Sequence, residues 1–141
     1  MEGRLWRPLS RMVEANKHIF VKHFLGLMRS MTSAPCQQTA VDWYNKGCAL
    51  DDQGKHDEAI KAYDEAIMLD PNCADAWYNK GATLDDQGKY DEAIKCFDEA
   101  IRLDPTYTKA YYAKGLILKY LDKTSESNAA FAKAKELENS G

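Results

Sequence analysis

The sequence predicts an all-α fold: a solenoid of helix-turn-helix repeats preceded by one extra helix. Three observations carry that expectation. Residues 40–73 and 74–107 match at 24 of 34 positions without a gap, and residues 108–141 keep the register with 10 of 34. Self-similarity at such a period marks units that stack to bury a common core. Within each unit the apolar residues fall at helical spacing in two separate runs. Glycine and proline then punctuate the units at the same places, where helices must stop.

In the first unit, Trp43, Gly47 and Leu50 recur at i, i+4 and i+7, one face of a helix. Gly54 follows as a stop, because glycine takes the left-handed conformation cheaply. Ala59, Ile60, Tyr63, Ala66 and Ile67 share one face of a second helix. Leu69-Asp70-Pro71 closes it, since the residue before a proline resists helical angles. The second unit repeats the scheme with Trp77, Gly81, Leu84, Gly88, Ala93, Ile94, Phe97, Ala100, Ile101 and Pro105. The small residues let helix backbones approach while Trp43 and Tyr63 fill the space beside them. The third unit departs: Tyr111 replaces the tryptophan, Ser127 the first alanine and Asn139 the proline. Such decay suits a terminal unit that faces solvent on one side.

The domain organisation is therefore residues 1–39, a basic amphipathic helix and linker, and residues 40–141, a three-repeat domain (40–73, 74–107, 108–141). Shifting the repeat frame back over the first segment brings Leu9, Val13, Leu25 and Arg29 to the key positions, so no further repeat is hidden there. Ser10 is a candidate cap for a helix reaching about Met31. Leu9, Met12, Val13, Asn16, Phe20, Phe24, Leu27, Met28 and Met31 lie along its apolar stripe. Residues 30–40 read as a linker.

With 45% apolar and 29% charged residues the chain can bury a core. The net charge of −3 by itself argues neither for nor against nucleic acid, and none is expected as a partner. Its distribution is uneven: six Lys/Arg against two acids in residues 1–39, net +4, and 13 against 20 in residues 40–141, net −7. Cys36, Cys48, Cys73 and Cys96 form no C-x-x-C pair, which points to a reducing, cytoplasmic setting rather than disulfides or zinc. No run approaches the roughly 20 apolar residues of a membrane span.

The residues Trp43, Gly47, Ala59, Tyr63, Ala66 and Pro71, repeated as Trp77, Gly81, Ala93, Phe97, Ala100 and Pro105, resemble the tetratricopeptide repeat family. The resemblance implies a right-handed superhelix with a concave groove lined by the first helix of each hairpin. Carried over, it makes Tyr44, Asn45, Cys48, Asp51, Tyr78, Asn79, Ala82, Asp85, Lys109, Tyr112 and Leu116 the peptide-binding candidates. Lys46, Lys80 and Lys114 stand where the family usually has leucine. Some family members clamp a chaperone's C-terminal carboxylate with Lys, Asn, Asn, Lys and Arg. Here those positions hold Tyr44, Cys48, Asn79, Lys109 and Ala113, so the resemblance implies a broken clamp.

No nucleophile-base pair, phosphate loop or cofactor motif is present, so neither an enzyme nor a cofactor is expected. Asp51-Asp52 and Asp85-Asp86 are neighbours on a helix, point about 100° apart, and read as a solvated acidic face. His18, His23 and His56 read as bystanders, with His56 in a turn, and no metal is expected. Trp43, Trp77 and Tyr111 are expected to be buried between helices, and Tyr44, Tyr78 and Tyr112 to remain partly open. The function expected is an interaction scaffold that holds a peptide, with basic residues, from another protein. Residues 9–31 are expected to pack on the first repeat as a cap; the alternatives are a peripheral membrane or targeting adaptor acting through that segment, self-association or groove occupancy through it, or an engineered scaffold with no natural ligand.

Overall fold

The structure is a computed structural model and describes residues 39–141, which lie within its unit Gln38–Gly141. Expectations for the N-terminal helix and its stripe lie outside the described residues. Six helices follow one another: α1 (Ala40–Asp52), α2 (His56–Leu69), α3 (Ala74–Asp86), α4 (Tyr90–Leu103), α5 (Thr108–Tyr120) and α6 (Thr124–Ser140). They pair as hairpins α1–α2, α3–α4 and α5–α6, and consecutive hairpins stack in sequence order.

Local chemistry explains the boundaries. The Asp42 amide donates to Thr39 Oγ1 at 3.2 Å, and the Thr39 amide donates to Asp42 Oδ2 at 2.9 Å. This reciprocal capping box starts α1 and holds the Asp42 carboxyl below its usual range. Gly54 and Gly88, at φ +73° and +74°, end the first helix of their hairpins. Asp122 takes the same left-handed turn in the third at φ 58°. In all three turns the next amide closes on the helix: Lys55, Lys89 and Lys123 N–H donate to the carbonyls of Leu50, Leu84 and Leu118, each at 2.9 Å. The second helix stops at Leu69 and Leu103, with Asp70 and Asp104 extended before their prolines. With Asn139 where a proline would stand, α6 runs on to Ser140.

The innermost layer is mostly alanine, with one aromatic in each of the first two hairpins and Leu84, Ile117 and Leu118 beside them. Ala59, Ala66, Ala93, Ala100 and Phe97 are fully buried, and Tyr63 is 1% exposed. Gly47, Gly81 and Gly115 sit directly against the rings of Tyr63, Phe97 and Phe131. A Cβ at Gly81 would lie 2.8 Å from Phe97 Cε1 and 3.1 Å from Cys96 Cβ, an atom that no rotamer change can move aside. Gly81→Ala is therefore expected to destabilise the domain by about 1–3 kcal/mol, despite alanine's better helix propensity. Urea unfolding of the variant checks it, and a gain in stability would contradict the close approach.

The tryptophans are corrected by the structure. Trp43, Trp77 and Tyr111 are half-buried rather than enclosed. An indole is too large for a layer spaced by alanine and glycine, and its N–H needs a partner. Trp77 Nε1 finds one in the Pro71 carbonyl at 3.3 Å. Lysines cover the outer ring faces, with Lys46 Nζ 4.3 Å from the Trp43 ring centre and Lys80 Nζ 5.6 Å from that of Trp77. Lys80 and its equivalent Lys114 also tie hairpins together. Lys80 pairs with Asp64 at 2.6 Å and Lys114 with Asp98 at 2.5 Å, the same contact at both junctions. Partly exposed pairs of this kind contribute only about 0–1 kcal/mol, so they guide register more than they stabilise. Ser127, which departs from the repeat pattern, is buried and donates to the Gly115 carbonyl at 2.9 Å. Its hydroxyl is satisfied where the other repeats place alanine.

Candidate functional site

The first helices of the three hairpins, α1, α3 and α5, present equivalent rows of side chains. Tyr44, Tyr78 and Tyr112 head these rows. Each rests its ring on the core aromatic of its own hairpin: Tyr44 on Tyr63 at 6.1 Å, Tyr78 on Phe97 at 5.6 Å and Tyr112 on Phe131 at 5.3 Å between centroids. The inner edge therefore packs, while the outer part stays open. Tyr44 and Tyr78 are half-buried, and Tyr112 is 47% exposed. The expectation that these three remain partly open holds.

A polar seam joins the first two rows. Asn79 Nδ2 donates to Tyr44 Oη at 2.9 Å and approaches Cys48 Sγ at 3.5 Å. Burial pushes the Tyr44 hydroxyl up to about 12 and raises that of Tyr78. Tyr107 belongs to the same cluster, although the sequence offered it only as the closing residue of a repeat. Its ring meets Tyr78 edge-on at 5.3 Å, and its hydroxyl donates to Asp75 at 2.5 Å. Burial first, and the bond to Asp75 second, raise its hydroxyl well above the usual tyrosine range. These phenols thus remain protonated donors at any physiological pH.

One turn further along, the rows diverge. Cys48 and Ala82 are half-buried, whereas Leu116 is 57% exposed. The next turn carries Asp52 and Asp86, but Tyr120 in the third repeat, 70% exposed. The surface is thus acidic across two repeats and apolar on the third, where Tyr112, Leu116 and Tyr120 stand on successive turns of α5. Asn45 and Lys109 are exposed. The acidic pairs are not the uniformly solvated face expected from sequence. Asp52 and Asp86 are exposed, but Asp51 and Asp85 are half-buried. Burial, and secondarily the neighbouring Asp86, raise the Asp85 carboxyl above its usual value. His56 is likewise no bystander in a turn. It is the first residue of α2, and its Nδ1 lies 2.8 Å from Asp51 Oδ1. The five-residue separation across the turn hid this pairing, because the backbone reverses between the two.

The cysteines differ sharply in environment. Cys96 is 5% exposed, and burial pushes its thiol up to about 11, while Cys48 and Cys73 are half-buried. Burial thus keeps Cys96 in the thiol form at pH 8, and the thiolate is the reactive form. Cys96 is expected to resist iodoacetamide in the folded protein while Cys48 and Cys73 react, as mass spectrometry of digested protein will show. Equal labelling of all three would contradict the packing around Phe97.

The family model described as tetratricopeptide repeat matches residues 44–108 and 83–135. The chain belongs to the tetratricopeptide repeat family. Solved tetratricopeptide structures agree. The crystal structure of MamA superposes with a TM-score of 0.72 at 31% identity, covering 73% of this chain. This chain spans only 60% of the MamA chain. The second repeat domain of Spaghetti (RPAP3), bound to the HSP90 peptide SRMEEVD, gives a TM-score of 0.68 at 31% identity, covering 72% of this chain and 93% of that one. Its first repeat domain, bound to the same peptide, gives 0.70 at 30%, covering 74% and 82%. No curated protein sequence matches significantly. The all-α, right-handed superhelical solenoid expected from the repeats is thus the fold of this tetratricopeptide protein. Among its described residues no helix is long and apolar enough to cross a membrane.

Proposed function

We propose that this tetratricopeptide protein is an interaction module that holds a peptide segment of another protein along α1, α3 and α5. The observation that supports the reading best is the exposed row Tyr112, Leu116 and Tyr120, which extends the Tyr44 and Tyr78 row into an open apolar surface. Large rigid aromatics beside amide donors suit a peptide, whose side chains need apolar seats and whose backbone needs hydrogen bonds. A preformed helical scaffold needs no reordering to receive it.

The composition of the surface narrows the partner. The two Spaghetti domains bind the acidic peptide SRMEEVD. Here the cationic positions of a carboxylate clamp are Tyr44 and Ala113, with Lys109 alone retained, and the Asn79 amide is already engaged by Tyr44. Asp52, Asp85 and Asp86 instead favour a segment with basic residues over the first two repeats and apolar anchors over the third. Three repeats make a small platform, so micromolar affinity, about −8 kcal/mol, is expected.

The test is fluorescence anisotropy with labelled peptides of mixed apolar and basic composition, run beside SRMEEVD. Mixed peptides are expected to bind, more weakly as salt rises, because such attraction is screened over roughly 8 Å at physiological ionic strength. A bound peptide is also expected to slow iodoacetamide at Cys48. Preference for SRMEEVD, or affinity flat with salt, would remove the basic partner. Cys48 labelling unchanged by a tightly bound peptide would place the peptide elsewhere.

A further inference from the structure

We propose that Asp51, His56 and Asp86 form a binding site for a divalent transition metal of the zinc class, bridging the first two repeats. Their ligand atoms, one imidazole nitrogen and two carboxylate oxygens, all lie within 4.8 Å of one another. Asp51 comes from the end of α1, His56 from the start of α2 and Asp86 from the end of α3. Zinc held at about 2.0–2.2 Å by tetrahedral N and O ligands sets those atoms roughly 3.4 Å apart. The Asp51–His56 contact of 2.8 Å must therefore open by a few tenths of an ångström. The exposed Asp86 side chain closes the remaining gap by rotation.

Charge and polarity point the same way. Two carboxylates face one imidazole, and among the described residues neither pairs with a lysine or arginine. His56 also lines a pocket of about 230 Å³, together with Gly54, Lys55, Asp57, Glu58 and Gln87. Gln87 Nε2 donates to Asp57 at 2.8 Å, which leaves Gln87 Oε1 buried without a partner. Three protein ligands leave the fourth position of a zinc ion to water.

The repeat itself supplies an internal comparison. At the next junction the positions of His56 and Asp86 are held by Tyr90 and Tyr120, whose rings pack at 4.8 Å. Packing alone thus closes a junction of this geometry with two aromatics, and the histidine–carboxylate set is not required by the fold. Imidazole with carboxylates selects zinc, nickel or cobalt over calcium or magnesium, which prefer oxygen alone. A metal here staples the first hairpin to the second. The proposal does not rest on the peptide-binding reading, because metal binding is measured on the chain without peptide.

The experiment uses the full chain without a histidine tag, stripped by chelator, and titrates zinc by calorimetry and cobalt by visible absorption. One equivalent of zinc is expected to bind and to raise Tm. His56→Tyr, which copies the residue at the second junction, and Asp86→Asn are each expected to lower affinity more than about a hundredfold, beyond the roughly 10–100-fold that loss of an outer-shell partner alone costs. The Tyr variant's unchanged circular dichroism shows that it folds. The cobalt spectrum is expected to lack sulfur charge-transfer bands. No binding up to a roughly tenfold excess of metal over protein, binding unaffected by His56→Tyr, or a thiolate spectrum each overturns the proposal.

Discussion

Replacing Phe97 with alanine is expected to destabilise the repeat domain by about 3–5 kcal/mol, the range for a large aromatic removed from a closed core. Phe97 is fully buried in the central hairpin. Its ring lies directly against Gly81, supports Tyr78 at 5.6 Å and packs in one cluster with Ala93, Ala100 and Ala110. The glycine and alanines around it are already the smallest residues, and helices cannot move closer to fill the gap without breaking contacts on both sides. The resulting cavity therefore persists. Stability in a stacked array depends on nearest-neighbour interfaces, and the central hairpin takes part in both. A loss of this size is a large share of the ~5–15 kcal/mol typical of a domain. Trp77→Ala, by contrast, is expected to cost nearer ~2 kcal/mol, because its ring is only half withdrawn from water. Parallel urea melts of the two variants decide the order. A larger loss for Trp77 would restore the tryptophans as the core.

Leu116→Asp is expected to weaken peptide binding more than tenfold while changing stability by no more than about 0.5 kcal/mol, as for other open surface positions. Leu116 is 57% exposed and lies between Tyr112 and Tyr120 on α5. A carboxylate at the centre of that row removes an apolar seat and asks the peptide to desolvate a charge, an effect typical of the centre of an interface. Tyr78 would be a poorer probe, since its ring also packs on Phe97 and Tyr107 and its loss would affect the fold. Anisotropy with the mixed apolar and basic peptides, together with a thermal melt, separates the two effects. Unchanged affinity with a folded variant would move the peptide off the third repeat. A large drop in melting temperature would show that Leu116 is structural.

The sequence by itself determined the repeat period, the helix pairs of the first two repeats with their glycine and proline limits, the register of the third, and the family. Those follow from local rules that act within a turn or two of helix: the left-handed turns at Gly54 and Gly88, and the extended Asp70 and Asp104 before proline. Repetition then strengthened each local signal by showing it again one period later. Only the tertiary structure decided which apolar residues form the innermost layer. Helical spacing marks a face but not its depth, and depth depended on the alanines that draw the helices close around Tyr63 and Phe97 and leave Trp43 and Trp77 at the rim. The polar partnerships were likewise invisible beforehand. Asn79 with Tyr44, Tyr107 with Asp75, Lys80 with Asp64, and the grouping of Asp51, His56 and Asp86 each join different helices. Such contacts arise from the rotation of one hairpin on the next, a quantity set by the summed packing of side chains rather than by any residue's own preference.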